Sequence, residues 1–388
     1  MGKTKRKLYE TITETEIETI TETETITQSE SETESESESK EPDKIPETIQ
    51  DLITMGDKRR EKDFINLEKY VKNRISEYIS EYNKEPDSDM VDIFYTDYEY
   101  DMVAVRLSNI KLPLQKLDEM IGMKSIKNSI IDFVLYHIQD FNNSADYLNM
   151  VITGGPGCGK STVAEFISDI YAGIGILKKS KVVHISRSDL IGKYLGTSAI
   201  KTKEKLTECI GSVVFIDEAY SLAPNDTDRD SFAKEVIDTL NQFLSEHKHE
   251  FVCIIAGYKD DLDKTFFAMN KGLERRFPWR FDIEPYTPEE LTAIVKKNIK
   301  DMEWSHELPD EWLEKLFKDN SKYFKHYGGD IETFLTKCRF AHVRRVFING
   351  EKRMFTKDDI LKGLEKHIAN YKKEDEDDFA IPPLGMYS

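Results

Sequence analysis

Cysteine is scarce in this sequence, and no two cysteines stand close together in it. The four cysteines (Cys158, Cys209, Cys253 and Cys338) lie far apart with no CxxC motif, which argues against a disulfide framework and indicates a reducing compartment such as the cytoplasm. Long apolar runs are also missing, since no stretch approaches the roughly 18 residues that a membrane span needs. The basic N-terminus leads into Thr and Glu rather than an apolar segment. We therefore expect neither a secretory signal nor a membrane helix.

Positive charge is in short supply. The chain has 55 Lys and Arg against 73 Asp and Glu, a formal net charge of -18, which disfavours broad attraction to nucleic acid or to an anionic membrane. Residues 8–39 contain no Lys or Arg, and from residue 11 onward they alternate Thr or Ser with Glu. Such a tract has too few apolar side chains to offset chain entropy. Residues 1–45 are thus predicted to form a disordered tail, either a phosphorylatable tether or a solubilising segment.

The residues after this tail are predicted to form an accessory helical region over 46–111. Apolar residues recur at helical spacing in its first half, and this stripe consists of Leu67, Val71, Ile75, Tyr78, Ile79 and Tyr82. The stripe fits packing on the chain's own domain or docking against a neighbouring subunit or client. At the other end of the chain, residues 372–388 join an acidic run to a short apolar peptide, either a docking motif or a disordered end.

Between residues 112 and 285, apolar strand patterns alternate with helical ones. This alternation predicts an α/β domain whose parallel sheet is covered on both faces. The predicted strands are 148–153, 181–186, 212–217, 251–256 and 279–283. Thr287, Pro288 and Glu290 then form the signature of a helix that starts with a capping box. Since the patterns up to residue 371 are helical, residues 286–371 are predicted to form a small all-α lid domain.

Residues 154–161 read Gly-Gly-Pro-Gly-Cys-Gly-Lys-Ser and match the GxxxxGK[ST] phosphate loop. The loop stands between a predicted strand and an amphipathic helix, the context that makes this motif specific for NTP binding. Its backbone N–H groups can surround the β-phosphate, Lys160 can bridge β- and γ-oxygens, and the Ser161 hydroxyl suits Mg²⁺. The predicted nucleotide-binding residues of this segment are Gly154, Gly155, Pro156, Gly157, Cys158, Gly159, Lys160, Ser161 and Thr162.

A later apolar strand pattern ends in two acids, Asp217 and Glu218. Adjacent side chains at a strand end point in different directions, so the two acids can perform different tasks. We expect Asp217 to hold Mg²⁺ through its water shell, together with Ser161, and Glu218 to polarise the attacking water. Lys160 and Glu218 are therefore predicted to be catalytic in nucleotide hydrolysis.

The phosphate loop, the run at 217–220, the junction at 286–288 and the helical lid together resemble an AAA+ ATPase. Within that superfamily, residues 189–204 and the Ala-Gly-Tyr-Lys-Asp segment at 256–260 resemble the CbbX/CfxQ branch, which is also that of sporulation-protein-K-like proteins. The likeness covers about residues 112–371. It implies ATP as the nucleotide, Mg²⁺-dependent hydrolysis to ADP and phosphate, and assembly into a ring that is expected to be a hexamer.

The resemblance also implies roles outside the two motifs. Tyr194, Leu195 and Gly196 lie where this family has its central-pore loop, whose aromatic residue grips a threaded polypeptide; a tyrosine packed at a helix start is the alternative. Arg276 matches the arginine finger that enters the site of the next subunit and is predicted to be catalytic. Arg275, or a surface salt bridge at this position, remains the alternative.

Further positions concern nucleotide contact and sensing. Ile121 and Gly122 lie where relatives contact the adenine. Tyr258 stands where most AAA+ proteins have a sensor asparagine, as in the CbbX-like branch, so a phenol hydroxyl would sense phosphate there. Residues 328–332 of the lid contain no second sensor arginine. Cys158 is either a helix N-terminal thiol with a lowered pKa or a small buried filler.

These features favour an ATP-driven protein remodeller, a homo-oligomeric ring that binds ATP between neighbours and engages a protein client through its pore loop. The same fold builds clamp loaders, initiators and helicases, so a nucleic-acid-associated ATPase is the alternative. The acidic charge, the aromatic pore tip and the lack of a basic stripe favour the remodeller. A scaffold with slow turnover is a third reading, because the lid arginine is missing. If the source is viral, we expect the protein in the host cytoplasm or the virion.

Overall fold

The computed structural model describes residues 45–141, 146–194, 196–223, 231–347 and 352–378. The chain forms two compact units, Met1–Lys111 and Leu112–Ser388. The predicted tail up to residue 44 and the apolar peptide at 379–388 lie outside the described residues. Within those ranges, no helix combines the length and the apolar character needed to cross a membrane.

The first unit is helical. Its helices are α1 (Ile49–Tyr82), α2 (Ser88–Asp97) and the start of α3 (Met102–Asp118). Leu67 and Val71 of the predicted apolar stripe are buried in a cluster with Phe94 of α2. Ile79 and Tyr82, at the end of the stripe, are 39% and 54% exposed. The first half of the stripe therefore packs within its own unit, while its end faces solvent.

The second unit contains a five-stranded parallel sheet, which confirms the predicted α/β fold class. Its strands are β1 (Met150–Thr153), β2 (Val182–His184), β3 (Val213–Ile216), β4 (Val252–Gly257) and β5 (Trp279–Asp282). They lie in the order β2-β3-β4-β1-β5, and all neighbours run parallel. Strands β1, β3 and β4 are buried along their whole length, which explains their continuous apolar runs. Because the strands are parallel, the loops that follow β1, β3 and β4 meet at one edge of the sheet.

Helices connect these strands and cover the sheet. They are α4 (Lys124–Ile138), α5 (Lys160–Gly173), α6 (Arg187–Leu190), α7 (Thr197–Glu208), α8 (Ser231–Glu246), α9 (Lys259–Asp261), α10 (Phe267–Met269) and α11 (Lys271–Glu274). A 3₁₀ turn spans Ala219–Leu222, and a π-helical turn spans Leu262–Phe266. The side chains of β3 and β4 pack with Phe243 of α8 and with Phe277 in one apolar core.

The lid follows β5 and is almost entirely helical. Its helices are α12 (Pro288–Asp301), α13 (Asp310–Asp319), α14 (Tyr327–Val346) and α15 (Lys357–Asp378), with a 3₁₀ turn at Ser321–Tyr323. Helix α12 starts with the predicted capping box, in which Thr287 and Glu290 bond each other's backbone N–H groups. The all-α prediction missed one parallel pair of two-residue strands, β6 (Ser305–His306) and β7 (Met354–Phe355). Strands this short carry no readable alternation.

A buried carboxylate organises the end of the lid. Asp359 is 0% exposed and accepts hydrogen bonds from Arg345 Nε and Nη2, both at 2.9 Å, and from the Thr356 backbone N–H at 3.1 Å. The Nδ1 atom of the buried His342 ring lies 3.2 Å from Asp359 Oδ2. Burial alone would raise the pKa of Asp359, but these hydrogen bonds hold that pKa at about 2. The carboxylate thus ties the start of α15 to α14.

Candidate functional site

The phosphate loop leads from the end of β1 to the first residue of α5. Gly159 is the N-cap of α5, so no side chain caps the first N–H groups of this helix. Gly157 has φ +70°, a left-handed conformation that side chains rarely adopt. The loop therefore presents unsatisfied backbone donors and the positive end of a helix dipole at the sheet edge, an arrangement that suits a phosphate group.

Lys160 points back over this loop. Its Nζ donates to the carbonyl oxygens of Gly154, at 3.2 Å, and Gly155, at 2.9 Å. An ammonium group has three N–H donors, so one remains for a phosphate oxygen. These two bonds hold the lysine side chain against the phosphate loop. Ser161 and Thr162 follow in the first turn of α5, with Ser161 half-buried and Thr162 exposed.

Asp217 and Glu218 follow β3 at the same edge, and both are exposed. Asp217 Oδ1 accepts a hydrogen bond from the Glu218 backbone N–H at 3.0 Å, and Glu218 adopts a left-handed backbone conformation (φ 48°). Burial, followed by the charge and hydrogen bond of Glu218, raises the pKa of Tyr220 to about 12, which places this phenol beside the carboxylate.

Tyr258 lies between the acids and the phosphate loop, at the end of the intervening strand β4. Its pKa is raised first by burial and then by the charges of Glu218 and Asp261, with a smaller effect of Cys158. Its ring is 6.4 Å from that of Tyr220, and the residue is 43% exposed. The phenol is thus close to both halves of the site.

Cys158 is 1% exposed. Burial raises the pKa of its thiol, and the nearby Lys160 only partly opposes this. The hypothesis of an activated thiol is therefore wrong, because burial outweighs the helix N-terminus at this position. The alternative, a small buried filler, fits: a Cβ at Gly154 would lie 2.8 Å from the Cys158 sulfur.

The described residues contain no group of three or more His, Cys, Asp or Glu that could hold a metal ion by themselves. Ser161 and Asp217 offer one hydroxyl and one carboxylate, which are oxygen ligands of the type that Mg²⁺ prefers. In proteins Mg²⁺ is commonly held by one or two such groups together with substrate phosphates and water. The residues present therefore fit a Mg²⁺ ion that arrives with a nucleotide.

The lid contacts the phosphate loop through its backbone. The Gly328 N–H donates to the Gly157 carbonyl oxygen at 3.2 Å. A Cβ at Gly157 would lie only 2.1 Å from the His326 carbonyl oxygen, so this close approach requires glycine. Asp330 Oδ2 accepts a hydrogen bond from the His326 backbone N–H at 2.7 Å and so bonds the start of its own helix. The segment without a sensor arginine is thus the segment that touches the loop.

Two lid tyrosines complete this contact. The Tyr286 hydroxyl donates to the Cys158 carbonyl oxygen at 3.2 Å. The Tyr327 ring lies so near Gly155 that a Cβ there would be 3.0 Å from it, and the two tyrosine rings are 5.6 Å apart. In the sequence Tyr286 belongs to the junction at 286–288, but neither tyrosine is predicted to contact the phosphate loop, because no local pattern marks such a contact.

The predicted adenine-contact segment lies beside the same junction. Gly122 has φ +72°, and a Cβ on it would be 3.0 Å from both the Tyr286 ring and a Glu290 carboxylate oxygen. A Cβ at Gly159 would meet the side chains of Met123 and Met120 at 3.0 Å and 3.3 Å. The structure thus brings residues 120–123, the phosphate loop and the start of the lid together.

The predicted pore loop projects from the second unit. Tyr194 is 74% exposed, and Leu195 lies outside the described residues. Gly196 is the N-cap of α7. Thr197 Oγ1 accepts a hydrogen bond from the Tyr194 backbone N–H at 3.1 Å and donates one to the Tyr194 carbonyl oxygen at 2.6 Å. The Gly196 N–H donates to both carboxylate oxygens of Glu235 on α8, at 2.9 Å and 3.2 Å. Glu235 therefore supports the loop, and no motif marked it.

Arg276 lies inside its own subunit. It is 8% exposed, and its Nε and Nη2 donate to Ser245 Oγ of α8 at 2.9 Å and 2.6 Å. Its Nη1 donates to the Gly272 carbonyl oxygen at 2.6 Å. Arg275, next to it, is exposed. The two neighbouring arginines therefore have different surroundings: Arg276 is buried and hydrogen-bonded within its own chain, and Arg275 is exposed.

Comparison with known proteins places these features in one family. Residues 150–278 match the ATPase family associated with various cellular activities (AAA). The chain is 40% identical over 281 residues to a cfxQ-like protein (R730) of Acanthamoeba polyphaga mimivirus, covering 71% of this chain and 69% of the relative. It is 32% identical over 264 residues to the chloroplastic ribulose bisphosphate carboxylase/oxygenase activase of Cyanidioschyzon merolae, covering 66% of this chain and 89% of that protein. Among solved structures, the FIGL-1 AAA domain in complex with ADP is similar at a TM-score of 0.48 and 19% identity, covering 68% of this chain and 90% of that one.

Proposed function

Because this chain belongs to the CfxQ-like branch of the AAA+ ATPase family, we propose that it is a ring-forming, Mg²⁺-dependent ATPase that remodels protein clients. The observation that carries this proposal is the solvent-exposed Tyr194 on a loop pinned by Thr197 and Glu235. An aromatic side chain at an exposed, fixed tip offers apolar contact that tolerates many client sequences.

The proposed hydrolysis site combines the phosphate loop with the two acids. The loop N–H groups and Lys160 would bind the β- and γ-phosphates, and Ser161 and Asp217 would hold Mg²⁺, which would supply positive charge against the phosphates. Glu218 accepts a hydrogen bond from the attacking water and orients it. We assign to Tyr258, which lies near both Glu218 and the loop, the response to the γ-phosphate. Phosphoryl transfer needs this positioning and charge stabilisation more than covalent help.

The ring is proposed because members of the AAA+ family commonly form ring oligomers, in which a neighbouring copy can supply an arginine to the phosphoryl-transfer site. The segment 272–277 carries Arg275 and Arg276, and we assign to it the arginine that enters the neighbouring site. Ile121 and Gly122 complete the nucleotide pocket on the adenine side. A hexamer is the expected assembly.

Protein clients are favoured over nucleic acid. The net charge of -18 opposes nonspecific binding to a polyanion. The Cyanidioschyzon relative is named as the activase of a protein, ribulose bisphosphate carboxylase/oxygenase. The four cysteines are free and buried, and a relative is viral, which together favour a reducing compartment such as a host cytoplasm.

The Glu218→Gln variant tests the hydrolysis site. The amide keeps the size of the side chain but cannot polarise water, so ATP should bind while turnover falls at least about 100-fold. Light scattering after size exclusion should show a larger assembly of this variant with ATP than without nucleotide. Unchanged turnover in Glu218→Gln would rule out the assigned role.

The client class is tested by stimulation of the wild-type ATPase. An unfolded protein should accelerate hydrolysis, and Tyr194→Ala should lose this acceleration while Tyr194→Phe, which keeps the ring, retains it. If DNA or RNA accelerates hydrolysis and unfolded protein does not, the remodeller hypothesis is wrong, and the hypothesis of a nucleic-acid-associated ATPase replaces it.

A further inference from the structure

Helix α14 of the lid carries an apolar stripe on its exposed side. Phe340, Val343 and Phe347 are 61%, 56% and 84% exposed. Their spacing of three and four residues places them on one face of the helix. The opposite face of α14 is also apolar, and its residues Phe334 and Cys338 are buried in the core of the lid. The stripe is therefore a second apolar face, which the described residues leave largely open to solvent.

A groove of about 390 Å³ lies beside this stripe, between α14 and α15. Gly363 of α15 lets the two helices approach closely, because a Cβ on it would collide with the Cys338 sulfur. Apolar surface and three cationic side chains meet in the groove, and none of the described residues that line it is acidic. The lining residues are Lys337, Phe340, Val343, Arg344, Lys366 and Asn370.

The three cations of the groove are not used elsewhere in the chain. Within the described ranges, the side chains of Lys337, Arg344 and Lys366 form no hydrogen bond or ion pair. The nearby carboxylate of Asp359 is already bonded to Arg345. In a chain with a net charge of -18, a groove with three cations and no acid is unusual. It favours a ligand that combines negative charge with apolar side chains.

The end of this chain has that composition. Residues 374–378 are five consecutive acids. Residues 379–388 read Phe-Ala-Ile-Pro-Pro-Leu-Gly-Met-Tyr-Ser, with no charged side chain. Two adjacent prolines favour an extended backbone, and a chain restricted in this way loses less conformational entropy when it binds in a groove. One short stretch therefore offers both properties that the groove favours.

The two helices that form the groove run antiparallel. His342 of α14 lies beside Asp359 of α15, and Cys338, one turn earlier, lies beside Gly363, one turn later. Phe340 is midway between the two α14 residues, so it is level with the middle of that α15 interval. The groove therefore extends along α15 towards the start of this helix.

Residues 379–388 are long enough to cover this groove in their own copy. Helix α15 ends at Asp378, directly before them. At about 1.5 Å per residue, Asn370 lies about 12 Å back along the helix, and the level of Phe340 lies about 25 Å back. Ten extended residues span about 33 Å. The segment can therefore turn back along α15 and reach from Asn370 to Phe340.

We propose that the groove between α14 and α15 is a docking surface for residues 379–388 of the same copy. Apolar side chains of the segment, such as Phe379, Ile381 and Leu384, pack against the apolar wall of the groove, and the preceding acids bring negative charge to the three cations. A short tether gives the segment an effective concentration of about 1 mM, so even a dissociation constant of about 0.1 mM leaves the groove about 90% covered. The inference concerns the lid alone and does not depend on ATP hydrolysis.

Thiol reactivity in the full-length chain measures this cover. Asn370→Cys places a thiol in the groove without removing a cation or an apolar side chain, and the four native cysteines are buried. With the groove about 90% covered, an uncharged maleimide should react with this thiol about tenfold more slowly than when the segment is released. The triple variant Phe379→Ser, Ile381→Ser, Leu384→Ser should release it.

Leu361→Cys is the matched control. Leu361 is also exposed on α15, at 47%, but it does not line the groove. Its thiol should react equally fast with the wild-type segment and with the triple-serine segment. Reversal of two groove charges, Lys337→Glu with Lys366→Glu, should raise the reactivity of Asn370→Cys without changing the unfolding temperature, because it weakens the attraction of the acids and alters no buried contact.

Protein concentration distinguishes the possible occupants. Because the segment belongs to the same copy, its protection of Asn370→Cys should be the same in dilute and concentrated protein. Protection that grows with concentration would identify another copy as the occupant and overturn the proposal. Equal reactivity of Asn370→Cys with the wild-type and the triple-serine segment would overturn it as well. Neither result bears on the proposed function, which is tested separately by ATP turnover.

Discussion

A buried histidine gives the core of the second unit a measurable response to acid. His137 on α4 is 4% exposed, and its ring centroid lies 4.4 Å from Phe133, 5.1 Å from Tyr136 and 6.2 Å from Trp279. Neither of its ring nitrogens has a hydrogen-bond partner within the described part of the chain. Burial lowers the pKa of His137 to about 4, and the negative charge of Asp146 only partly opposes this.

Protonation of His137 in the unfolded chain should therefore lower the free energy of unfolding in acid. The pKa of an unfolded histidine is about 6.5. As the pH falls from there to about 4, His137 is therefore protonated in the unfolded chain but stays neutral in the folded chain. This contribution to stability is complete above the unfolded pKa and is lost as the pH falls towards the folded one. A difference of about 2.5 pKa units corresponds to about 3 kcal/mol in total, of which about 2 kcal/mol is lost by pH 5.

The variant His137→Leu removes the titrating group and keeps an apolar side chain in its place. The free energy of unfolding in urea is measured for both proteins at about pH 7.5 and about pH 5. In both proteins Trp304 and Trp312 are changed to Phe. Trp279, beside His137, is then the only remaining tryptophan, and its fluorescence reports unfolding. We expect the protein with His137 to lose about 2 kcal/mol more than the Leu variant between the two pH values. Equal losses would refute the reasoning.

Three further predictions concern the loops and the lid. Gly157→Ala should weaken ADP binding at least about tenfold, because φ +70° is strained for alanine and its Cβ would lie 2.1 Å from the His326 carbonyl oxygen; calorimetry showing unchanged affinity would contradict this. Glu235→Ala should lower client-stimulated hydrolysis more than the basal rate, whereas Glu235→Gln, which keeps an acceptor for the Gly196 N–H, should respond like wild type; an equal loss in both would exclude the hydrogen bond as the cause. Asp359→Asn should destabilise the lid by about 2 kcal/mol, because Arg345 loses its buried counter-charge, and a urea transition within about 0.5 kcal/mol of wild type would argue against that role.

Features that depend on neighbours in sequence were predictable. The glycine spacing predicted a phosphate loop between a strand and a helix, where the structure has β1 and α5, and Thr287 with Glu290 predicted the capping box of α12. Continuous apolar runs anticipated the buried parallel strands. Each of these signals involves residues a few positions apart, where local sterics and hydrogen bonding decide the structure.

Contacts between distant segments were not predictable. Glu235 supports Gly196 across 39 positions, and Ser245 binds Arg276 across 31. No periodicity marks such pairs, because they exist only once the helix α8 is packed on the sheet. Cys158 shows the same limit: its place at a helix N-terminus suggested a reactive thiol, but the surrounding fold buries it. The trans role of the arginine segment, and the roles of Tyr194 and Tyr258, stay predictions.

Among the described residues, the lid meets the phosphate loop through the Gly328 backbone N–H and the side chains of Tyr286 and Tyr327, and no arginine takes part in these contacts. If the lid moves relative to the loop, its position and nucleotide occupancy are linked equilibria: the factor by which a nucleotide favours one lid position equals the factor by which that position raises nucleotide affinity. Since the contacting groups of the lid are neutral, this allosteric coupling should change little with ionic strength, unlike one that depends on a guanidinium.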